Sequence, residues 1–205
     1  MTENNEMAAA TGGTYAPRVP TYSYRPSLLG AGWTFRLTGT GIAWEVGSKS
    51  GHVPYRSVRR VRLTYKPASM QTHRFTTEIW AEGAPRLQLV SSSWKSMVEQ
   101  ERLDGPYAAF VRELHRHLAA AEVPADYVRG RHPLSYWPGL ALFVVVALAL
   151  AATMVRALEA HSVGAAAVIA GFLVLFGWQG VSFFRRNWPG RYTPHTLPAE
   201  LLPKG

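Results

Sequence analysis

The chain contains no cysteine, and this absence excludes disulfides, thiolate metal sites and a cysteine nucleophile. It is also poor in acid: 13 Asp and Glu residues stand against 22 Lys and Arg residues, for a net charge of +9. The N-terminal residues lack the basic start and apolar run of a signal peptide, and neither end carries a lipidation motif. We therefore expect any membrane-inserting segment to lie deeper in the chain.

Two long apolar runs, at 137–155 and 163–184, contain no Asp, Glu, Lys, Arg or His. At a rise of about 1.5 Å per residue they would be about 28 Å and about 33 Å long as helices. Both lengths match a hydrocarbon core of about 30 Å. The sequence therefore predicts transmembrane helices at 136–156 and 163–184, joined by a short extracytoplasmic loop at 157–162.

Basic residues flank this predicted hairpin on one side. Arg129 and Arg131 precede the first apolar run, and Arg185, Arg186 and Arg191 follow the second. Because positively charged flanks stay in the cytoplasm, we expect a two-pass protein of the cytoplasmic membrane with both termini inside.

The residues before the hairpin divide into an arm, a folded domain and a linker. Residues 1–31 read as a flexible N-terminal arm of extended, polyproline-like backbone, with docking of Tyr22 and Tyr24 onto the domain or onto lipid headgroups as the alternative. We expect the soluble domain to occupy 32–123 and a juxtamembrane linker 124–135. After the hairpin, a Pro-rich cytoplasmic tail covers 185–205, and its docking on the domain is left open.

Alternation of apolar and polar residues predicts that the domain has the α+β class, as an antiparallel β-meander or partly open barrel. The sequence predicts five or more strands, at 33–38, 42–46, 60–65, 74–79 and 86–90, and a turn at 47–51 leads into 52–55. A short helical turn at 94–101, capped by 91–93, then leads to an amphipathic helix at 106–121 with Asp104 or Gly105 as its N-cap. The apolar stripe of that helix covers one face of the sheet, and it consists of Tyr107, Phe110, Val111, Leu114 and Leu118.

The opposite face of the predicted sheet is basic. It exposes five arginines: Arg36, Arg60, Arg62, Arg74 and Arg86. These are either ordinary solvated residues or contacts to anionic lipid headgroups or to a protein partner, and a basic residue near an anionic leaflet contributes about 1 kcal/mol to binding. The clustering is too loose to favour nucleic acid. Within the membrane, Gln179 is the polar residue that we expect to tie the two helices or a neighbouring protomer.

No catalytic, cofactor-binding or metal-binding signature emerges from the sequence. His115 and His117 are two residues apart on the predicted helix and cannot share a face, so we expect both to be solvated. His52 and His73 are expected to be isolated in loops. An alternative is a hydrolase or transferase with an unrecognised site, for which the first suspects are His52, Tyr55, His73 and Glu78.

Two segments carry a resemblance to a known family. Residues 35–44 read FRLTGTGIAW and residues 53–61 read VPYRSVRRV. The chain from 33 to 123 thereby resembles the bacterial pleckstrin-homology-like (PH-like) domains, which show a Leu-Thr-x-x-Gly-Leu/Ile hairpin followed by an Ile/Val-Pro-Tyr-x-x-Ile/Val stretch. The resemblance implies a bacterial protein that binds lipids, peptides or partner subunits rather than one that catalyses a reaction. With the topology expected from the basic flanks, it would lie in the bacterial inner membrane.

These observations predict a non-enzymatic, membrane-anchored interaction module without cofactors. The hairpin would hold a basic PH-like domain beside the inner leaflet, where it meets a protein partner or anionic lipid. An accessory subunit of a larger membrane complex, or a homo-oligomer, is the further alternative.

Overall fold

The structure is a computed structural model, and it describes residues 19–67, 73–95 and 100–203. The described residues form an α+β structure with antiparallel sheets and three α-helices, two of them long and apolar, as predicted for the fold class. The helices are α1 (Asp104–Ala120), α2 (Pro133–Glu159) and α3 (Val163–Arg186). The strands are β1 (Thr21–Tyr24), β2 (Trp33–Leu37), β3 (Gly41–Val46), β4 (Lys49–Pro54), β5 (Val58–Pro67), β6 (His73–Ala81), β7 (Leu87–Val90), β8 (Ser92–Trp94), β9 (Gln100–Arg102), β10 (Asp126–Arg129) and β11 (Gly190–Arg191).

Two sheets share one core. The first sheet has the order β1-β2-β3-β4 and the second has the order β11-β10-β5-β6-β7, while β8 and β9 form a separate two-stranded sheet. Among the described strands, all the pairings are antiparallel except that of β10 with β5. The described residues do not form a closed barrel. The inner faces of both sheets pack with α1 around residues that include Phe35, Ile42, Val61, Leu89 and Leu114.

Helix α1 covers the core with the predicted apolar stripe, since all five of its residues are buried. The helix begins at Asp104, however, and its N-cap is Leu103, which offers no side-chain cap. The predicted cap at Asp104 or Gly105 is therefore wrong. The Asp104 carboxylate instead accepts a hydrogen bond at 3.0 Å from Arg102 Nε, which precedes the helix.

Several segments that the sequence assigned to flexible or helical structure are strands. Part of the predicted arm is β1, which pairs with β2 and buries Tyr22 and Tyr24, so the docking alternative is correct for these residues; 1–18 lie outside the described residues. Of the predicted helical turn at 94–101, the ends are wrong, since Trp94 belongs to β8 and residues 100–101 belong to β9, its antiparallel partner; 96–99 lie outside the described residues. His52 lies in β4 rather than in a loop, and its ring faces Thr40 Oγ1 at 3.3 Å.

The predicted linker and tail are both part of the second sheet. Strand β10 lies in the linker segment and pairs with β5, and β11 of the tail pairs with β10. The tail then adds Leu201 and Leu202 to the core, each less than 8 % exposed. The open question of tail docking is thus answered: an apolar tail lowers its free energy by burying these side chains.

The helices α2 and α3 form an antiparallel hairpin, and both are long and apolar enough to cross a membrane. Their surfaces remain exposed, with Leu142 at 65 % and Val174 at 71 %, unlike those of a core helix in a soluble domain. Helix α2 extends past its predicted span at both ends, and α3 extends past its span at the C-terminal end. At the start of α2, His132 Nδ1 accepts a hydrogen bond from the Leu134 N–H. We call the end where α2 begins and α3 ends, residues 133–137 and 183–188, the base of the hairpin.

Candidate functional site

A buried asparagine joins the base of the hairpin to the second sheet. Asn187 is fully buried, and its Oδ1 accepts a hydrogen bond from the backbone N–H of Tyr65 in β5 at 3.2 Å. Its Nδ2 donates to Phe183 O at 3.1 Å, and its own carbonyl accepts from the Arg131 N–H at 3.1 Å. Since β10 ends opposite Leu63, Asn187 continues the hydrogen bonding along β5. The hairpin and the sheet therefore form one hydrogen-bonded structure.

A glycine allows this junction to close. Gly130 has a φ of +73°, and its N–H donates to Leu63 O at 2.8 Å. A Cβ at this position would lie 2.4 Å from the carbonyl oxygens of both Asn187 and Trp188. The chain between β10 and α2 can therefore approach the end of α3 only without a side chain.

An aromatic cluster surrounds the same junction. Tyr136 is 2 % exposed, and its ring contacts Trp137, Phe184 and Trp188 at centroid distances of 5.5–5.7 Å. Its hydroxyl donates to Phe184 O at 3.3 Å, which ties α2 to α3. Trp137 and Trp188 are about half exposed, and tryptophans at this position suit a membrane–water interface.

The five arginines of the predicted basic face do not form one free cationic surface. Arg36 lies in the first sheet and pairs with Glu45 at 3.1 Å, whereas the other four lie in or beside the second sheet. Arg60 pairs with Asp126 and Arg86 with Glu78, at 3.2 Å and 3.5 Å. Three of the five are thus neutralised in ion pairs whose arginine is about half exposed, and such surface pairs contribute little to stability.

Arg62 and Arg74 are more buried than the other three. In both, the Nε atom is buried and has no hydrogen-bond partner among the described residues. The Arg62 guanidinium lies over the Trp80 ring at 5.3 Å. Arg62 also lines a cavity of about 180 Å³ at the start of α2, which it shares with Lys66, Arg131 and His132 among other residues. Arg62 is therefore the predicted contact residue that lies at the base of the hairpin.

A larger groove lies on the α3 side of the base. Its volume is about 790 Å³, and it is bounded by the end of α3, the docked tail and the edge of the β structure. The lining carries three arginines and one glutamate, a net charge of +2: Arg102, Arg185, Arg186 and Glu200. Its apolar lining includes Phe75, Trp178, Val181 and Leu202. We call this the α3 groove; none of its arginines was among the predicted contact residues.

Gln179 does not tie the two helices together. Its side chain is exposed on α3 and makes no hydrogen bond among the described residues. One residue further on, α3 packs against α2, since a Cβ on Gly180 would lie 2.0 Å from the Phe143 ring. A contact of Gln179 with a neighbouring protomer stays a prediction.

The structure contradicts the expected solvation of His115. This residue is 1 % exposed, its Nδ1–H donates to Val111 O at 2.7 Å, and its Nε2 accepts from the Tyr192 hydroxyl at 2.8 Å. Both ring nitrogens are used by the neutral form, and burial lowers the pKa of His115 to about 4. The spacing held a signal for this burial: His115 follows Val111 by four residues and precedes Leu118 by three, which places it on the apolar stripe.

The residues suspected of catalysis have separate partners. Tyr55 stacks on His117 at 5.3 Å and its hydroxyl donates to Thr38 O, while Glu78 pairs with Arg86 and His52 faces Thr40. Burial raises the pKa of Tyr55 to about 12, so the phenol stays protonated at neutral pH. The side chain of His73 lies outside the described residues. In the described part of the chain no group of three or more His, Asp or Glu residues is placed to hold a metal ion.

Comparison with known proteins gives no relative: no protein-family model, no curated protein and no solved structure matches the chain significantly. The function must consequently be inferred from the geometry of the base of the hairpin.

Proposed function

We propose that this chain is a two-pass protein of the cytoplasmic membrane that holds a PH-like domain against the inner leaflet as a non-enzymatic interaction module. In this arrangement the basic base of the hairpin contacts anionic lipid headgroups. A protein partner on the remaining domain surface is compatible with the same anchoring.

The observation that carries the proposal is the junction at Asn187. The domain is joined to the hairpin by buried hydrogen bonds and not by a loose linker, so a membrane around α2 and α3 would hold the domain in one orientation. That orientation brings Arg131, Arg185 and Arg186 to the headgroup level. Basic residues at that depth favour an anionic leaflet and the cytoplasmic side.

The PH-like assignment is supported by contacts between the two segments that carry the resemblance. The first forms the β2–β3 turn, where Thr38 Oγ1 accepts from the Gly41 N–H at 3.1 Å. The second forms a 3₁₀ turn, Tyr55–Ser57, between β4 and β5. The Tyr55 hydroxyl donates to Thr38 O at 2.9 Å and so joins the two segments. Two sheets and a covering C-terminal helix agree with this family, although the fold alone does not define an activity.

The absence of cysteine makes a clean topology test available. Single cysteines would be introduced as Ser48→Cys in the β3–β4 turn, Thr193→Cys in the tail and Ser162→Cys between α2 and α3, all at exposed positions. A membrane-impermeant maleimide applied to intact cells should label only Ser162→Cys, and permeabilised cells should show all three labelled. Labelling of Ser48→Cys in intact cells would overturn the proposed orientation.

Headgroup contact is tested on the full chain, because β11 and Leu201 of the tail belong to the domain and a chain truncated before α2 would lack them. The thermal midpoint is compared between nanodiscs of phosphatidylcholine alone and nanodiscs containing phosphatidylglycerol. We expect a higher midpoint in the anionic discs, and a smaller difference at high salt since exposed charges are screened. Equal midpoints in the two lipids would contradict headgroup binding.

A further inference from the structure

We propose that the α3 groove binds the phosphate and upper acyl region of one anionic glycerophospholipid molecule per chain. This inference rests on the proposed function, because it requires α2 and α3 to lie in a bilayer. It goes beyond the proposed function because it assigns one defined binding site to the three arginines of the groove. General attraction between basic residues and an anionic leaflet would not single out these three from the other arginines.

The charged wall of the groove is available to a ligand. Arg185 is exposed and forms no ion pair with any described residue. The Arg186 guanidinium lies over the Tyr65 ring at 4.6 Å, which leaves its N–H edge to donate hydrogen bonds. Arg102 is partly neutralised by Asp104. Guanidinium groups bind phosphate oxygens in a two-pronged geometry, so adjacent arginines on one wall suit a phosphate group.

The apolar wall selects a lipid over a soluble phosphate. Trp178 lies two helical turns before Arg185, about 10 Å deeper along α3. It is 71 % exposed and, together with Val181, lines the same groove as the arginines. A ligand that fills the groove must therefore present a negative charge at one end and an apolar chain about 10 Å away. A membrane phospholipid has this form, and free phosphate does not.

The docked tail completes the groove. Ala199, Glu200, Leu202 and Pro203 form the wall opposite α3. This wall is held by the buried Leu201 and by an ion pair of Glu200 with Arg129 at 3.6 Å. The volume of about 790 Å³ lies within the usual range for small-molecule sites, about 300–1,000 Å³.

A glycine on the lining offers a way to block the groove without changing its charge. Gly177 lines the groove, and a Cβ there would meet no atom within 4 Å. Gly177→Leu should therefore leave the fold intact while occupying space that the lipid needs. Gly171→Leu is the matched control, because Gly171 is equally open but does not line the groove.

The test uses the full chain in micelles of an uncharged detergent with phosphatidylglycerol added in steps. Native mass spectrometry counts the retained lipid, and the thermal midpoint reports the occupancy. Wild type should retain one phosphatidylglycerol per chain. Arg185→Gln should need about tenfold more lipid for half occupancy, as expected for the loss of a charge-assisted hydrogen bond. Arg191→Gln, an exposed arginine of β11 outside the groove, should stay within about twofold of wild type.

The proposed site would be wrong if wild type retained no phosphatidylglycerol. It would also be wrong if Arg185→Gln bound phosphatidylglycerol as tightly as Arg191→Gln, or if Gly177→Leu bound it as tightly as Gly171→Leu. A parallel arm adds inorganic phosphate without lipid. If phosphate alone raises the midpoint as much as phosphatidylglycerol does, the ligand is a soluble anion and the lipid assignment is wrong. If anionic nanodiscs still stabilise wild type while the groove variants behave as their controls, the groove fails and the proposed function stands.

Discussion

The two ends of the helical hairpin are built in different ways. At the far end, Leu158 and Val163 are 52 % and 71 % exposed, and the hydrogen bonds around the turn are those of the backbone. At the base, Tyr136 and Asn187 are buried, and both donate side-chain hydrogen bonds to carbonyls of α3. The far end exposes apolar side chains, whereas the base joins the hairpin to the domain. Changes at the base should therefore affect the whole molecule, and changes elsewhere in the hairpin should not.

The sharpest test of this difference compares two amides of the α3 segment. Asn187→Leu removes the acceptor of the Tyr65 N–H and the donor to Phe183 O in a fully buried position. Because a buried polar group loses its partner, we expect the free energy of unfolding to fall by about 3 kcal/mol. Reversible denaturation in mixed micelles measures this change.

Gln179→Leu is the matched control, since Gln179 is exposed on α3. Its free energy of unfolding should stay within about 0.5 kcal/mol of wild type. Equal losses in the two variants would show that the base is no more important than the rest of the hairpin.

These two amides also illustrate which contacts sequence can reveal. The strands β2–β7, the stripe of α1 and both apolar helices follow local periodicity, which is visible in neighbouring residues. The partner of Asn187 is Tyr65, 122 residues away, and no local pattern marks that contact. Strands β10 and β11 are likewise short and are specified by their neighbours in the sheet. Sequence favoured Gln179 because a polar residue is conspicuous in an apolar run.

Of the candidate site, only its positive charge could be predicted from the sequence. A basic surface was expected, but the pairing of Arg36, Arg60 and Arg86 with acids depends on tertiary contacts. The α3 groove forms only because the tail folds back against α3. The four prolines of the tail predict that it is not a long helix, but they do not predict where it packs. Arg185 and Arg186 were consequently recognised for topology and not for binding.

Tail docking should make stability depend on pH through His115. Its pKa is about 4 in the folded protein, below the ordinary histidine pKa of about 6.5. As the pH falls from 6.5 towards 4, the unfolded chain takes up a proton that the folded chain excludes, so the free energy of unfolding decreases. The loss reaches roughly 3 kcal/mol at the acid end of this window. Burial raises the pKa of the adjacent Tyr127 and Tyr192, so both stay protonated throughout.

The double variant His115→Met with Tyr192→Phe isolates this effect. It removes both partners of one hydrogen bond, so the free energy of unfolding at about pH 7.5 should change little. Between about pH 6.5 and about pH 4 its stability should fall by about 3 kcal/mol less than that of wild type. Parallel pH profiles for the two proteins would show that His115 is not buried as a neutral group.

Alanine variants at two glycines distinguish the cost of a steric clash at the junction from the cost of a left-handed backbone conformation. Gly130→Ala places a Cβ 2.4 Å from two carbonyl oxygens at a φ of +73°, and we expect it to lower the free energy of unfolding by about 2 kcal/mol. Gly83→Ala is the control, because Gly83 has a φ of +67° and open space around a Cβ. It should lose about 1 kcal/mol, the cost of the left-handed conformation alone. A loss at Gly83 as large as that at Gly130 would mean that the junction is not tightly packed.

The smallest expected effect lies within the hairpin, above the base. Gly180→Ala would place a Cβ 2.0 Å from the Phe143 ring, which also stacks on Phe176 at 4.7 Å. The ring can rotate away, so we expect a loss of about 1 kcal/mol in helix packing. Gly171→Ala, where a Cβ meets open space, should be neutral or slightly stabilising. In the proposed membrane setting, lipid would replace lost helix contacts along the hairpin but not the buried hydrogen bonds at its base. A larger loss for Gly180→Ala than for Asn187→Leu would therefore reverse the expected order of importance of the two regions.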